Sequence, residues 1–379
     1  MIRVCAGDPR AWLAQYRAQR PLFACVLSYT HTATIPGISA AGQTPQARQY
    51  TALADGEFLL KDHQSVGRTG TGTIDAEAVG SDVAGSKSVR YALPPLQGGV
   101  SPAVISRALL RAQRIPYCLL STGLPGRLSV PYIALPHVIA SSLESGQAMT
   151  DAQVHQLWQS GLHWGRRLAR LCLGSYLIVG ECVVGGTTTA QALLSALGYD
   201  VAGLMSSSHP SGNHLQKRRL VRKGLCAWRQ RGDLSPMAAV AAVGDPMQVV
   251  VAAMAITASQ KVGVLLAGGS QMLAVYALIR SVCSPDAIVA DSIVVGTTRW
   301  VIEDTSADTV AIARAVGAPY MASELNFRQS RYAELRAYEQ GFVKEGVGAG
   351  GCAIAANLYE GWGQSQIKQA VEAEMRWMT

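Results

Sequence analysis

The sequence predicts an α/β fold in which a mostly parallel sheet is covered by helices on both faces. Three observations carry this. Short, continuously apolar runs recur at Leu22–Ser28, Tyr117–Ser121, Tyr176–Gly180, Val201–Met205, Val262–Leu266, Ile288–Val295 and Pro319–Ala322. They lack the alternation of a strand with one wet face, so they read as strands buried on both sides. Between them lie stretches of helical periodicity long enough for crossovers, and several strand-to-helix passages are rich in glycine. Sheets of this kind place ligand sites at the C-terminal ends of their strands.

In chain order, a short N-terminal helical segment precedes the strand Leu22–Ser28, which Pro21 and a threonine-rich turn bound. The strand feeds a loop, IPGISAAG, at 35–42. Residues 61–90 are rich in Gly, Ser, Thr and Asp with almost no large apolar side chain, which predicts a mobile insertion. Ser101-Pro102 is a helix start, with Val104, Ile105, Ala108 and Leu109 on one face. Asp151 opens a longer helix that ends by Gly174, and a further helix is expected around 246–259. Arg331–Phe342 reads as a helix with Tyr332, Leu335, Tyr338 and Phe342 along one side.

The 379 residues are enough for two or three domains, or one large lobe with a satellite. Charged residues make up only 15% of the chain, which argues against disorder and coiled coil. Lys plus Arg exceed Asp plus Glu by 33 to 25, a net charge of +8 that favours anionic partners without choosing among them. The longest apolar stretch, Met247–Ala258, is shorter than the roughly 20 residues of a membrane span, so no membrane association is expected. The N-terminus carries charges where a signal peptide needs an apolar stretch, which predicts a cytoplasmic protein. Eight scattered cysteines without C-x-x-C or zinc spacing predict reduced thiols and no metal.

The sharpest chemical feature is GECVVGGTTTA at 180–190, where a strand ends in a carboxylate, passes two glycines and enters a helix on three threonines. Gly185 and Gly186 let backbone approach a ligand, and Thr187 and Thr188 with the helix N-terminus add donors that suit a phosphate. A tight capped turn is the plain alternative. Glu181 serves no structural need beside an anion site, which suggests work at a cationic or hydroxyl part of a ligand. A second constellation is KEGVGAGG at 344–351, read as a helix end at Glu345 followed by Gly346 and Gly348. The negative end of a helix would raise the carboxyl's pKa, as suits a general base. A solvated Glu before a C-cap loop is the alternative.

LQKRRLVRKG at 215–224 sets five basic residues in ten, with Lys217 and Arg218 expected to point away from Leu220 and Val221. One cation there could reach a phosphate, although most such clusters are solvated faces. Without interleaved aromatics, nucleic acid is not the expected partner. AGGSQMLA at 267–274 and GTTRW at 296–300 also follow strands and could close a pocket floor or simply pack tightly.

In combination, these motifs resemble the nicotinate-nucleotide:dimethylbenzimidazole phosphoribosyltransferase family, in its archaeal and cyanobacterial branch. The likeness rests on Gly180-Glu181 through Gly185, Thr187 and Thr188, on Glu345-Gly346-Val347-Gly348-Ala349, and on Lys217 between them. It covers nearly the whole chain, and IPGISAAG and GGVSPAVISRA resemble the archaeal and cyanobacterial branch. Where the better-known bacterial branch has Gly-Ile-Gly-Asn, this chain has Val183-Val184-Gly185-Gly186, and a helix-sized insertion, roughly Arg328–Gln340, precedes Glu345.

The resemblance implies a Rossmann-like large domain over 21–327 and a small helical lobe from the termini, 1–20 with 328–379, that carries the Glu345 loop. It also implies a homodimer and a transfer of phosphoribose from nicotinate mononucleotide to an aromatic base, with inversion and without a metal or cofactor. Gly185, Gly186, Thr187, Thr188 and Lys217 would hold the 5′-phosphate. Glu345 would take the incoming base's proton, and Glu181 would orient Glu345 or face the oxocarbenium-like charge. The acceptor slot would fall between the loops at 35–42 and 267–272, for a benzimidazole or a purine. A non-catalytic nucleotide-binding regulatory protein of the same fold is the alternative.

Overall fold

The computed structural model describes residues 1–42, 44–60, 90–93, 96, 98–208, 213–283 and 292–376, and within them eight strands form one sheet. In chain order the elements are β1 (Ile2–Ala6), α1 (Arg10–Gln15), β2 (Leu22–Ser28), α2 (Pro45–Leu60), α3 (Ala103–Ala112), β3 (Tyr117–Gly123), β4 (Ile133–Ala134) and α4 (Asp151–Leu171). They continue with β5 (Tyr176–Cys182), α5 (Gly186–Ala196), α6 (His214–Arg229), α7 (Pro236–Val243), α8 (Pro246–Ala258), β6 (Gly263–Ala267) and α9 (Ser270–Val282). The remainder is β7 (Ile293–Thr298), α10 (Arg299–Ile302), α11 (Thr309–Val316), β8 (Tyr320–Ser323), α12 (Ala333–Arg336), α13 (Ala349–Glu360) and α14 (Gln364–Met375).

The strand order is β1-β8-β7-β6-β5-β2-β3-β4, and every pairing is parallel except that of β1 with β8. Along β2, Leu22, Ala24 and Val26 enter one apolar layer while Phe23, Cys25 and Leu27 enter the other. The period-two geometry of a strand thus divides one apolar run between two cores. The first layer contains residues of α4, α5, α7, α8, α9 and α11, and the second contains α1, α2, α3, α13 and α14. The chain runs outward from β2 through β3 to β4, returns to β5 on the opposite side of β2, and proceeds to β8. The reversal lies between β2 and β5, where Val26 is level with Glu181 and Leu27 with Cys182. A crevice is expected there.

Several expectations are corrected. The expected N-terminal helical segment is α1, but a strand precedes it, because residues 2–6 complete the sheet edge antiparallel to β8. Val201–Met205 is a turn; β5 pairs directly with β6, so the sheet has no position for an intervening strand, and Val201 and Met205 bury in the first layer without one. The helix expected over Arg331–Phe342 is two short turns, α12 and a 3-10 turn at Ala337–Gln340, which Gly341 ends in the left-handed conformation. Most of the 61–90 insertion and the start of the Ile288–Val295 run lie outside the described residues.

Polar anchors fix the second layer. Arg107 of α3 and Glu374 of α14 form a buried ion pair, with Arg111 at 3.8 Å from the same carboxyl. Glu57 of α2 is fully buried and accepts from the amides of Arg90, Tyr91 and Ser129.

Candidate active site

The end of β5 and the turn into α5 open into a cleft with a cavity volume of about 110 Å³. Glu181 lines it from the penultimate position of β5. Its side chain is 4% exposed, accepts from the Val183 amide at 3.0 Å, and accepts from Gln271 Nε2 at 3.0 Å. Burial, with smaller contributions from the nearby charges of Asp245 and Glu345, raises its pKa to about 8.

Glu345 lines the same cleft, 164 residues further along the chain. It does not end a helix, as expected from the sequence, but stands before the N-terminus of α13, where Gly350 donates its amide to Oε1 at 3.2 Å. The amide of Thr298 at 2.9 Å and the hydroxyl of Thr297 at 3.0 Å hold Oε2. The GTTRW segment therefore clamps this carboxyl. Burial raises the Glu345 pKa to about 7, and these hydrogen bonds partly offset the rise. The helix dipole has the opposite sign to the one expected, and desolvation overrides it.

The segment that carries Glu345 is strained. Val343, Lys344 and Val347 have φ of 67°, 66° and 52°, a region that costs non-glycine residues roughly 1–3 kcal/mol each. Neighbours impose this shape. Lys344 Nζ pairs with Asp304 at 2.6 Å, Thr298 Oγ1 donates to the Lys344 carbonyl at 2.6 Å, and the Val347 amide donates to the Glu181 carbonyl at 2.9 Å. Gly348, at φ +71°, lies against Gly180 of β5; a Cβ on it would stand 2.9 Å from the Phe23 ring and 3.2 Å from Gly180 Cα. Two glycines thus bring the loop onto the strand that bears Glu181.

The expected phosphate residues separate into two groups. Gly185 and Thr187 line the cleft, as does Gly346. Gly185 caps α5 at φ +84°, with Ala33 backbone too close for an unhindered side chain. Gly186 donates its amide to the Val183 carbonyl and is covered by Gln271. The Thr188 hydroxyl is buried behind the turn, without a partner among the described residues.

Lys217 is also behind the cleft, and it faces inward. It shares the buried face of α6 with Leu220 and Val221, because positions three and four apart lie on one side of a helix. Its ammonium is fully buried without a hydrogen-bond partner among the described residues. Burial and the charge of Lys344, partly offset by Asp304, lower its pKa to about 7.

Sequence reasoning missed several residues here. Asp304, which accepts from Lys344 and from Ser206 Oγ at 2.7 Å, and the cleft-lining Ser206, Ser207 and Ser208 had no motif to announce them. Asp55 also lines the cleft; a lone carboxylate amid the apolar residues of α2 was its only signal. Arg48 shapes the 35–42 loop by donating to the carbonyls of Ala33, Ile35 and Ser39. Ser39 and Ala41 of that loop face Gly269, Ser270 and Gln271 across the cleft. Among the described residues no helix is long and apolar enough to cross a membrane.

Comparison with known proteins agrees with this architecture. A phosphoribosyltransferase family model, DBI_PRT, matches residues 137–289. A UPF0284 protein of Gloeothece citriformis is 51% identical over 367 residues, covering 96% of this chain and 93% of the relative. Another from Acaryochloris marina is 50% identical over 378 residues, covering 98% and 96%. Among solved structures, CobT from Thermus thermophilus superposes with a TM-score of 0.62 at 16% identity, covering 96% of this chain and 88% of that one. A nicotinate-nucleotide–dimethylbenzimidazole phosphoribosyltransferase from the same organism gives 0.56 at 16% identity, with 97% and 87% covered. At that identity the likeness is one of fold.

Proposed function

The chain belongs to the UPF0284 family, and from that premise we propose that it is a phosphoribosyltransferase that moves phosphoribose from nicotinate mononucleotide to a nitrogen of a benzimidazole or purine base. The observation that carries this reading is the meeting of Glu181 and Glu345 in one cleft at the sheet's switch point, where neither makes an ion pair among the described residues. Two uncompensated buried carboxyls suit a cationic ligand, and the pyridinium of nicotinate mononucleotide is cationic at its reacting bond.

The chemistry follows from the positions. The bond between C1′ and the pyridinium nitrogen breaks with its electron pair leaving on nicotinate, so the departing group becomes neutral at nitrogen while positive charge develops on the sugar. Glu181, buried beside that position, stabilises the charge electrostatically. The unprotonated ring nitrogen of the acceptor attacks C1′ from the opposite face, which inverts the anomeric centre, and the proton on the base's other ring nitrogen passes to Glu345. A carboxylate tuned to about pH 7 is well matched to that task. Gly185, Thr187 and the Ser206–Ser208 segment face the cleft where the 5′-phosphate would lie, and Lys217 has no hydrogen-bond partner among the described residues. Gripping that remote group orients the reacting carbon.

Incubating the protein with nicotinate mononucleotide and a panel of benzimidazoles and purines, and following nicotinate release, tests the reading. Acceptor-dependent release is expected in the wild type. Glu345→Gln is expected to lower turnover by about 10²–10⁴-fold while mononucleotide binding persists. A protein that binds the mononucleotide but releases nothing with any acceptor would instead be a nucleotide-binding regulator of this fold.

A further inference from the structure

We propose that Asp55 is the residue that selects the acceptor, and that the acceptor is a heteroaromatic base bearing an N–H or O–H donor, such as an amine, on the edge away from its attacking nitrogen. The inference rests on the transferase reading and narrows its acceptor class.

Asp55 is 3% exposed in the middle of α2, a helix whose C-terminal half is buried throughout. A carboxyl in such surroundings is expensive unless its oxygens are satisfied. The protein supplies two neutral donors, Ser101 Oγ at 2.6 Å to Oδ1 and Cys182 Sγ at 3.3 Å to Oδ2. No ion pair to Asp55 occurs among the described residues. A carboxylate offers about four acceptor sites, so the side chain facing the cleft keeps acceptor capacity that no donor among the described residues takes up.

Its position fits a base rather than a sugar. Asp55 contacts Cys182, the residue after Glu181, and the phenol of buried Tyr338 is close enough to both Asp55 and Glu345 for each charge to raise its pKa. Asp55 and Glu345 thus bound one chamber, which Leu96, Pro102, Val343 and Val347 line with apolar surface. A flat ring between them would give its ring N–H to Glu345, which makes the other ring nitrogen nucleophilic, and its far edge to Asp55. A site built to accept a hydrogen bond discriminates strongly against an analogue that lacks the donor, because its own polar group is then left unpaired.

The test uses matched acceptors that differ only by an amine: benzimidazole against 5-aminobenzimidazole, and purine against adenine. With nicotinate mononucleotide as donor, the wild type is expected to favour the amine-bearing member of at least one pair by about ten-fold or more in kcat/KM. Asp55→Ala should bring that ratio to within about two-fold of unity, and Asp55→Asn, which keeps the shape and one acceptor oxygen, should fall between. A ratio near one in the wild type, or a ratio unchanged in both variants, overturns the assignment. An Asp55 that merely anchors Ser101 predicts that second result, with a lower Tm and no change in preference. If Asp55→Ala fails to fold, the Asn variant carries the comparison. If the wild type turns over no acceptor, the transferase reading fails. Calorimetric binding of the same pairs then decides on Asp55: an amine preference lost in the variant sustains the role, and equal affinities or no binding overturn it.

Discussion

Glu181 and Glu345 hold their protons more tightly in the folded protein than in the unfolded chain, since burial raises their pKa values to about 8 and about 7 from an ordinary 4.5. Their contribution to stability is complete at low pH and is lost as pH rises through those values. Glu181→Gln is therefore expected to melt at a higher temperature than the wild type at pH 9, with the difference vanishing toward pH 5. Parallel melting curves across that range would refute the burial of this carboxyl. The same titration shapes catalysis. With Glu345 as the base, kcat/KM should rise with pH along a limb of apparent pKa near 7, a value belonging to the interacting pair rather than to one group. Glu345→Gln should remove that limb.

These two residues were legible in the sequence because each sits in a glycine-rich passage where a carboxylate has no structural purpose. Lys217 was legible as a phosphate candidate but not in its orientation. Its electrostatic surroundings include Lys344 and Asp304, which the fold brings near it from more than 80 positions away. Asp55 lacked even a motif, since only the tertiary meeting of α2 with Ser101 and Cys182 distinguishes it from any other helix carboxylate.

At the scale of elements, the loop from Val343 to Gly348 is the most constrained part of the site in energetic terms. Its left-handed residues persist because the Lys344–Asp304 pair, the threonines of β7 and the contact of Gly348 with Gly180 determine its shape together. Gly348→Ala would force a side chain against Phe23 and the Gly180 backbone while also occupying a left-handed position. It is expected to lower turnover at least as much as stability, by lifting Glu345 from its clamp; steady-state rates beside thermal melts would measure both. Asp304→Ala leaves the buried Lys344 ammonium without its carboxylate and should cost about 3–5 kcal/mol, read from denaturant unfolding. Inorganic phosphate should recover part of that loss if Lys344 and Lys217 face an anion site.

The strands β2, β5 and β6 were plain in the sequence because burial on both faces leaves an uninterrupted apolar run. β1 was not, for an edge strand with exposed Arg3 and Val4 carries no such signature. Val201–Met205 misled for the complementary reason: a buried turn can be as apolar as a strand, and only the direct pairing of β5 with β6 excludes it.

Across the whole molecule, the decisive feature is the reversal of strand order between β2 and β5. Segments near residues 39, 55, 181, 206, 270 and 345 all line the cleft at that reversal, so it collects chemistry from six separate parts of the chain. The alternation of the sheet's side chains into two layers was predictable; which distant loops share its open end was not, because that is set by topology rather than by local pattern. Helices from both ends of the chain close the second layer, and the Arg107–Glu374 pair ties the last helix to α3. Glu374→Ala removes the carboxylate from a buried guanidinium and should destabilise the protein by about 3–5 kcal/mol, measured by chemical unfolding, without altering which acceptor is used.

The most direct measurement of whether Glu181 and Glu345 act together on one sugar is acceptor-dependent nicotinate release by the wild type, Glu181→Gln, Glu345→Gln and the double variant. Joint action predicts that each single variant is strongly impaired and that the double variant is little worse than the poorer single one, since groups that work as a unit are non-additive. Wild-type rates in either single variant, or losses that multiply in the double, would contradict it.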